Sequence, residues 1–242
     1  MQDMKQQNEN TLFISEFIAH TIQGEGVWAG CPATFLRLTR CHLNCSFCDT
    51  KELNEIETRL TNDKIFQLME SQGVIEALIK GQHLVITGGA PLLQQGDIYI
   101  LIKEFVYKYN FKPFIEVENE CTIIPTLSLI SEVDCWDNSP KLVSSGVSTS
   151  IRYRRDVIKF MSQLSNSWFK FVVADEGEWK EIQVFYLDTG LIKKSQVILM
   201  PMASSRQELL EKQEMVADLA IKHKVRYSGR EHIAIWNRKR GV

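Results

Sequence analysis

Residues 34–50 read TFLRLTRCHLNCSFCDT. The first part, Thr34–Thr39, is a short strand pattern of apolar and β-branched residues. The strand feeds a loop over residues 41–52 that carries Cys41, Cys45 and Cys48. Three thiolates can hold three irons of a [4Fe–4S] cluster and leave the fourth iron open to chelate a small molecule. Phe47, between the last two cysteines, can pack against such a molecule. A purely structural or electron-transfer cluster usually takes four cysteines. Zinc sites usually show two Cys pairs or a Cys pair with a His pair, and here the nearby histidine is His42 alone. Structural thiols are the other plain reading. Six cysteines in 242 residues, with no N-terminal apolar run, do not suggest a disulfide framework.

Strand and helix patterns alternate outward from this stretch. Residues 1–11 are polar, rich in Gln and Asn, and are expected to be a disordered tail before a single domain over 12–242. Phe13–Ile22 reads as extended. Asn62 is expected to cap a helix that Gly73 interrupts. Strands are expected at Leu84–Thr87, Phe114–Val117, Val133–Trp136, Trp168–Val173 and Gln196–Leu199, and as short closing pieces at Val225–Tyr227 and Ile233–Trp236. Helices are expected at Leu92–Tyr109, Arg152–Leu164, Glu176–Leu187 and Ser205–His223. The alternation implies right-handed βαβ units, an α/β fold and a mostly parallel sheet. About six such strands would make a partial, open barrel. Sites on parallel sheets lie at the C-terminal ends of strands. There the chain places Cys41, Gly88-Gly89, Glu118, Ser139-Pro140-Lys141 and Met200-Pro201-Met202.

Composition narrows the function classes. A length of 242 residues with 44% hydrophobic content supports one sizeable core. The net charge of −2 leaves no basic stripe of the kind nucleic-acid binding needs. No apolar run approaches the roughly 20 residues that span a bilayer. The chain is expected to be soluble and cytoplasmic, where thiols stay reduced.

Other residues invite a chemical reading beside a plain one. Gln23-Gly24-Glu25-Gly26 is a polar turn by composition. Its amide and carboxylate would also suit a heterocycle with N–H donors and a carbonyl. Arg37 lies inside an apolar strand and either faces solvent or clamps a carboxylate. Gly88-Gly89 is either a turn or a close backbone approach to a ligand. Thr50 reads as a turn residue, and His232 as a buried histidine in an extended apolar segment.

Taken together, the cysteine spacing with Phe47, Gln23–Gly26, Cys48-Asp49-Thr50 and Ser139-Pro140-Lys141 resemble the 7-carboxy-7-deazaguanine synthases. These are radical S-adenosylmethionine (SAM) enzymes that rearrange a tetrahydropterin into a deazaguanine. The resemblance runs from about Phe13 to Val242. It implies a reduced radical SAM barrel with Cys41, Cys45 and Cys48 on the cluster. It implies SAM against Phe47, Gly88, Gly89, Ser139, Lys141, Met200, Pro201 and Met202. It implies a carboxytetrahydropterin against Ile22, Gln23, Gly24, Glu25, Arg37, Thr87, His232 and the Val242 backbone, and Mg²⁺ on Thr50. A flavodoxin or ferredoxin as electron donor and a homodimer are implied as well. Thr87-Gly-Gly-Ala90-Pro91 departs from the usual Gly-Gly-Glu-Pro: either the missing carboxylate weakens SAM binding, in which case Ala90→Glu tightens it, or backbone carbonyls hold the SAM ammonium instead. The alternatives are a glycyl-radical-enzyme activase and a non-catalytic iron–sulfur regulator of the same fold.

Overall fold

The computed structural model describes residues 10–56 and 58–242. β1 (Thr11–Ile22) and β2 (Pro32–Leu38) form an antiparallel pair around the loop that carries Gln23–Gly26. Gln23 N donates to Cys31 O and Gly30 N to Gln23 O, both at 2.7 Å, so the loop closes on itself. β3 (Thr58–Thr61) pairs antiparallel with the other side of β1. α1 (Asn62–Ser71) and α2 (Val74–Ile79) follow, separated at Gly73, whose φ of 70° suits glycine. β4 (His83–Gly88), α3 (Gln95–Tyr109), β5 (Ile115–Asn119) and α4 (Leu127–Ile130) come next. Then come β6 (Cys135–Asn138), α5 (Thr149–Arg152), α6 (Arg155–Ser162) and β7 (Ser167–Val173). The chain ends with α7 (Glu178–Ile182), β8 (Val197–Pro201), α8 (Arg206–His223), β9 (Arg226–Tyr227) and α9 (Glu231–Trp236).

The strands form one sheet in the order β3-β1-β2-β4-β5-β6-β7-β8-β9. Every pairing from β2 to β9 is parallel. A strand exposes alternate residues to opposite faces, and here the two sets differ in chemistry. Leu36, Leu38, Leu84, Ile86, Ile115, Val117, Trp136, Phe169, Phe171, Val197 and Leu199 join one apolar cluster with the helices. Full burial of each large apolar side chain stabilises the fold by about 1.5–3 kcal/mol. The opposite set includes Arg37, Thr87, Glu116, Glu118, Asp137 and Lys170. Charge on one face of buried parallel strands is expensive unless it is paired, which marks that face as the working one.

The expected alternation of strands and helices is present, with local differences. The cap of α1 is Thr61, which accepts from Lys64 N at 3.3 Å. Asn62 is buried and donates instead to Glu104 Oε2 at 2.7 Å, a tertiary partner that competes with capping. The expected helix 92–109 begins as a 3₁₀ turn at Pro91–Gln94. The expected helix 152–164 is split between α5 and α6, and 176–187 runs from α7 into a π turn at Gln183–Leu187. β3 was not expected, because a four-residue edge strand carries too little pattern to read. Thr11 already pairs with Thr61, so β1 reaches into the segment read as a tail, while residues 1–9 lie outside the described residues.

The largest difference is at the C-terminus. Residues 233–236 are helical in α9, not a strand. β9 ends after two residues, and Ser228 N donates to Leu199 O as the chain leaves the sheet. Arg230 turns into the interior, and its carbonyl accepts from Ile233 N and Ala234 N. Ile233 is buried with Ala203 and Leu209, whereas Ile235 is half exposed. Capture of Arg230 inside the protein, described below, overrides the local strand propensity.

Candidate active site

A cavity of about 820 Å³ opens at the C-terminal ends of the parallel strands. Its floor is the polar face of the sheet, with Arg37, Thr87, Glu118 and Lys170. Cys41, Cys45, Phe47, Cys48 and Thr50 line it from the cysteine loop. Gly88, Gly89, Ser139, Lys141, Met200 and Met202 line it from the strand ends. Ile22, Gln23, Gly24 and Glu25 enter from the β1–β2 loop, and His232 and Val242 from the C-terminal segment. Thus the expected site residues meet around one space, with Pro201 the exception. Pro201 is buried as the last residue of β8, between the cavity-lining Met200 and Met202, and does not line the cavity itself.

The three loop cysteines are free thiols facing the same cavity. Burial pushes the Cys41 thiol up to about 11 and also raises Cys45, against which Lys141 pulls downward. Cys41 and Cys45 are therefore thiols without a metal, and iron binding must displace their protons. The loop is held from outside: Ser46 N donates to Ser145 O at 2.8 Å and Ser46 Oγ to Ser144 O at 2.9 Å. The donor set fits a cluster with one open iron. Cys31, Cys121 and Cys135 do not line the cavity.

Beside the cysteines lies a buried charge network. Lys170 Nζ sits 2.9 Å from Glu25 Oε2, 2.9 Å from Asp137 Oδ2 and 3.4 Å from Glu118 Oε1. Gln23 Nε2 donates to Glu116 Oε1 at 2.6 Å and to Glu118 Oε1 at 3.3 Å. Thr87 Oγ1 donates to Glu118 Oε2 at 2.8 Å. Arg230 Nε donates to Glu25 Oε1 at 2.9 Å. Burial would raise the Glu25 pKa, but Lys170, Arg230 and His232 outweigh it and hold the carboxyl well below the usual range. Burial likewise opposes the Lys170 charge, yet Asp137, Glu118 and Glu25 hold its pKa well above the lysine range. One ammonium cannot neutralise every carboxylate around it. Burial, with Glu118 and Glu116 near, pushes fully buried Asp137 up to about 7 against the pull of Lys170. Gly26 has a φ of 73°, and a side chain there would collide with Asp137, so this loop residue must be glycine. A side chain at Gly24 would run into His232.

Several expectations are refined by these contacts. Arg37 is neither fully exposed nor free: Nε donates to Glu16 Oε2 at 3.0 Å while the side chain lines the cavity. His232 is on α9, 3.9 Å from Glu25 Oε1, not in a strand. Lys170, Glu116 and Asp137 were missed. Their signal was a charge inside each of the apolar stretches FKFVV, FIEVE and CWDN.

At Ala90 the surroundings favour the second reading, in which backbone groups hold the SAM ammonium. Ala90 is fully buried, at 0% accessibility, and is not part of the cavity wall. A carboxylate there would be driven into packed surroundings and not onto a ligand. Ala90→Glu should therefore lower stability by about 1–3 kcal/mol through overpacking. Denaturant melts of the iron-free protein measure this, and tighter SAM binding without loss of stability would refute it.

Comparison with known proteins agrees with the geometry. A family model described as a 4Fe-4S single cluster domain matches residues 22–118. A 7-carboxy-7-deazaguanine synthase of Pyrobaculum aerophilum is 33% identical over 227 residues, covering 91% of this chain and 93% of the relative. The chain belongs to the 7-carboxy-7-deazaguanine synthase family. The family's Halobacterium salinarum member is 30% identical over 90% of this chain and 88% of its own. The crystal structure of QueE from Escherichia coli shares the fold, with a TM-score of 0.68 at 20% identity, over 92% of this chain and 95% of that one. Among the described residues no helix is long and apolar enough to cross a membrane.

Proposed function

We propose that the chain is a radical SAM carbon–nitrogen lyase. It converts 6-carboxy-5,6,7,8-tetrahydropterin to 7-carboxy-7-deazaguanine with loss of ammonia, in 7-deazaguanine biosynthesis. One observation carries this reading: three free cysteines face the same cavity as the Glu25 loop. Cys41, Cys45 and Cys48 would hold a [4Fe–4S] cluster, which together with SAM supplies a radical that takes hydrogen from an unreactive C–H bond.

The rest of the work belongs to the protein. Glu25, kept ionised by Lys170 and Arg230, accepts N–H groups of the pterin's amino-pyrimidine edge. Gln23 is fixed by Glu116 and Glu118, so its carbonyl has a set direction. Arg37 faces the substrate carboxylate, and His232 closes the space above Gly24. Phe47, Gly88, Gly89, Ser139, Lys141, Met200 and Met202 hold SAM, with Lys141 and Ser139 already joined at 2.9 Å. The sheet would act as a partial, open barrel that excludes water on its inner face. A flavodoxin or ferredoxin supplies electrons, and the protein works as a cytoplasmic homodimer.

Thr50 lines the cavity two residues after Cys48, and its hydroxyl is 3.7 Å from the Cys48 sulfur. One hydroxyl offers Mg²⁺ too few oxygens, so the substrate carboxylate must complete the shell. Thr50→Val should then cut turnover in Mg²⁺ by about 10-fold or more, as expected for lost positioning. Iron content and SAM binding should be unchanged. A variant that keeps the full Mg²⁺ response would remove Thr50 from this role.

The test of the function is anaerobic reconstitution followed by incubation with the carboxytetrahydropterin, SAM, Mg²⁺ and a reductant. Mass analysis should show 7-carboxy-7-deazaguanine formed in excess over SAM consumed. A fully loaded, reduced protein that cleaves SAM yet yields no deazaguanine would overturn the proposal.

A further inference from the structure

We propose that Arg230 is a positioning residue that locks the cysteine loop to the substrate loop. The inference rests on the functional reading above, because it assigns Glu25 to the pterin and residues 41–50 to the cluster and Mg²⁺. Arg230 is 9% exposed and stands at the N-terminus of α9. Its guanidinium reaches separate segments at once. Nε donates to Glu25 Oε1 at 2.9 Å, and Nη2 lies 2.8 Å from the same oxygen. Nη2 also donates to Asp49 Oδ2 at 2.6 Å. Nη1 donates to Ala203 O, directly after Met202.

Asp49 sits between Cys48 and Thr50. Glu25 sits between the glycines that approach His232 and Asp137. The guanidinium is thus a rigid planar fork whose fixed N–H directions span the two carboxylates, a geometry that a freely rotating ammonium does not set. Without it, Glu25 keeps Lys170 on its other oxygen, but Asp49 has no other charged partner within ion-pair distance among the described residues. The two loops would then keep their own shapes and lose their mutual register. The reacting carbon must lie at a set distance from the radical, so register matters more to product formation than to SAM cleavage. The effect acts through Glu25 and Asp49; Arg230 need not touch substrate.

The test compares unmodified protein with Arg230→Gln, Arg230→Lys, Asp49→Asn and the Arg230→Lys/Asp49→Asn double variant. The first readout is amide hydrogen exchange in iron-free protein, which requires neither cluster nor pterin. Arg230→Gln should speed exchange about 10-fold in the segments 45–50 and 23–26 together, a local loss of protection. The second readout is the ratio of 5′-deoxyadenosine released to deazaguanine made by loaded protein. It should rise about 10-fold in Arg230→Gln and less in Arg230→Lys, with the double variant no worse than the stronger single, as for residues acting as a unit. Should Arg230→Gln fail to fold, the Lys and Asn cycle decides alone. Additive effects in that cycle, or faster exchange confined to one loop, would overturn the proposal. Absence of product from the unmodified protein would instead defeat the functional reading, while the exchange result still decides whether Arg230 joins the loops.

Discussion

Cys45→Ala should abolish both cluster loading and deazaguanine formation. The expected iron content falls from about four per chain to near zero, because three thiolates already leave one iron open and a second open iron makes the cluster labile. Cys45 is 8% exposed and lies in the cavity wall between Cys41 and Cys48. Its removal takes away one sulfur and leaves the hydrogen bonds of Ser46 to Ser144 and Ser145 in place. The iron-free variant should therefore unfold within about 1 kcal/mol of the unmodified protein, the scale of a substitution that breaks no network. Cys31→Ala is the control, since Cys31 lies outside the cavity wall. Iron analysis and the EPR signal of the reduced cluster, with and without SAM, measure the outcome. A SAM-responsive signal of full intensity in Cys45→Ala would sink the cluster assignment.

Lys170→Met carries the largest expected cost in stability. Lys170 is 3% exposed, and Glu25, Glu118 and Asp137 converge on its ammonium. Removing one partner from a buried charge network costs about 3–5 kcal/mol; here Glu25 keeps Arg230, while Asp137 and Glu118 lose the one cation that pairs with them among the described residues. The pH dependence follows from Glu25. Its folded pKa lies well below the ordinary value of 4.5, so its contribution is present above that value and is lost as pH falls through the depressed one. In Lys170→Met, Glu25 loses the largest of the cations that depress it and Asp137 loses the cation that opposes its raised value, so both folded pKa values move upward. Their penalty is then full at neutral pH and fades as they take up protons on acidification. The stability gap between the two proteins should be widest near pH 7 and shrink toward pH 4. Urea melts across that range measure it. A gap under about 1 kcal/mol at pH 7, the value of an exposed pair, would show that Lys170 is not the counterion of this cluster. So would a gap that does not change with pH.

The cysteine spacing, the Gln23–Gly26 turn and the succession of strand and helix patterns were legible along the chain, because each depends on residues close in sequence. From them came the α/β class, the strand-end location of the site and the family. The strand order was not legible. β1 turns back antiparallel to β2 and β3, since pairing direction depends on partners that no local pattern names. The charges inside FIEVE, CWDN and FKFVV could each be seen as misplaced, but not as partners. Only the adjacency β5-β6-β7, with Glu118 beside Asp137 in register, brings those carboxylates around Lys170. Residues 231–236 show the limit most plainly. Their isoleucines read as a strand, yet the segment is helical because Arg230, 205 positions from Glu25 and 181 from Asp49, is drawn in between them. A local propensity amounts to a few tenths of a kcal/mol per residue, whereas a buried guanidinium left without its carboxylate partners costs about 3–5 kcal/mol, so the tertiary contact decides the backbone.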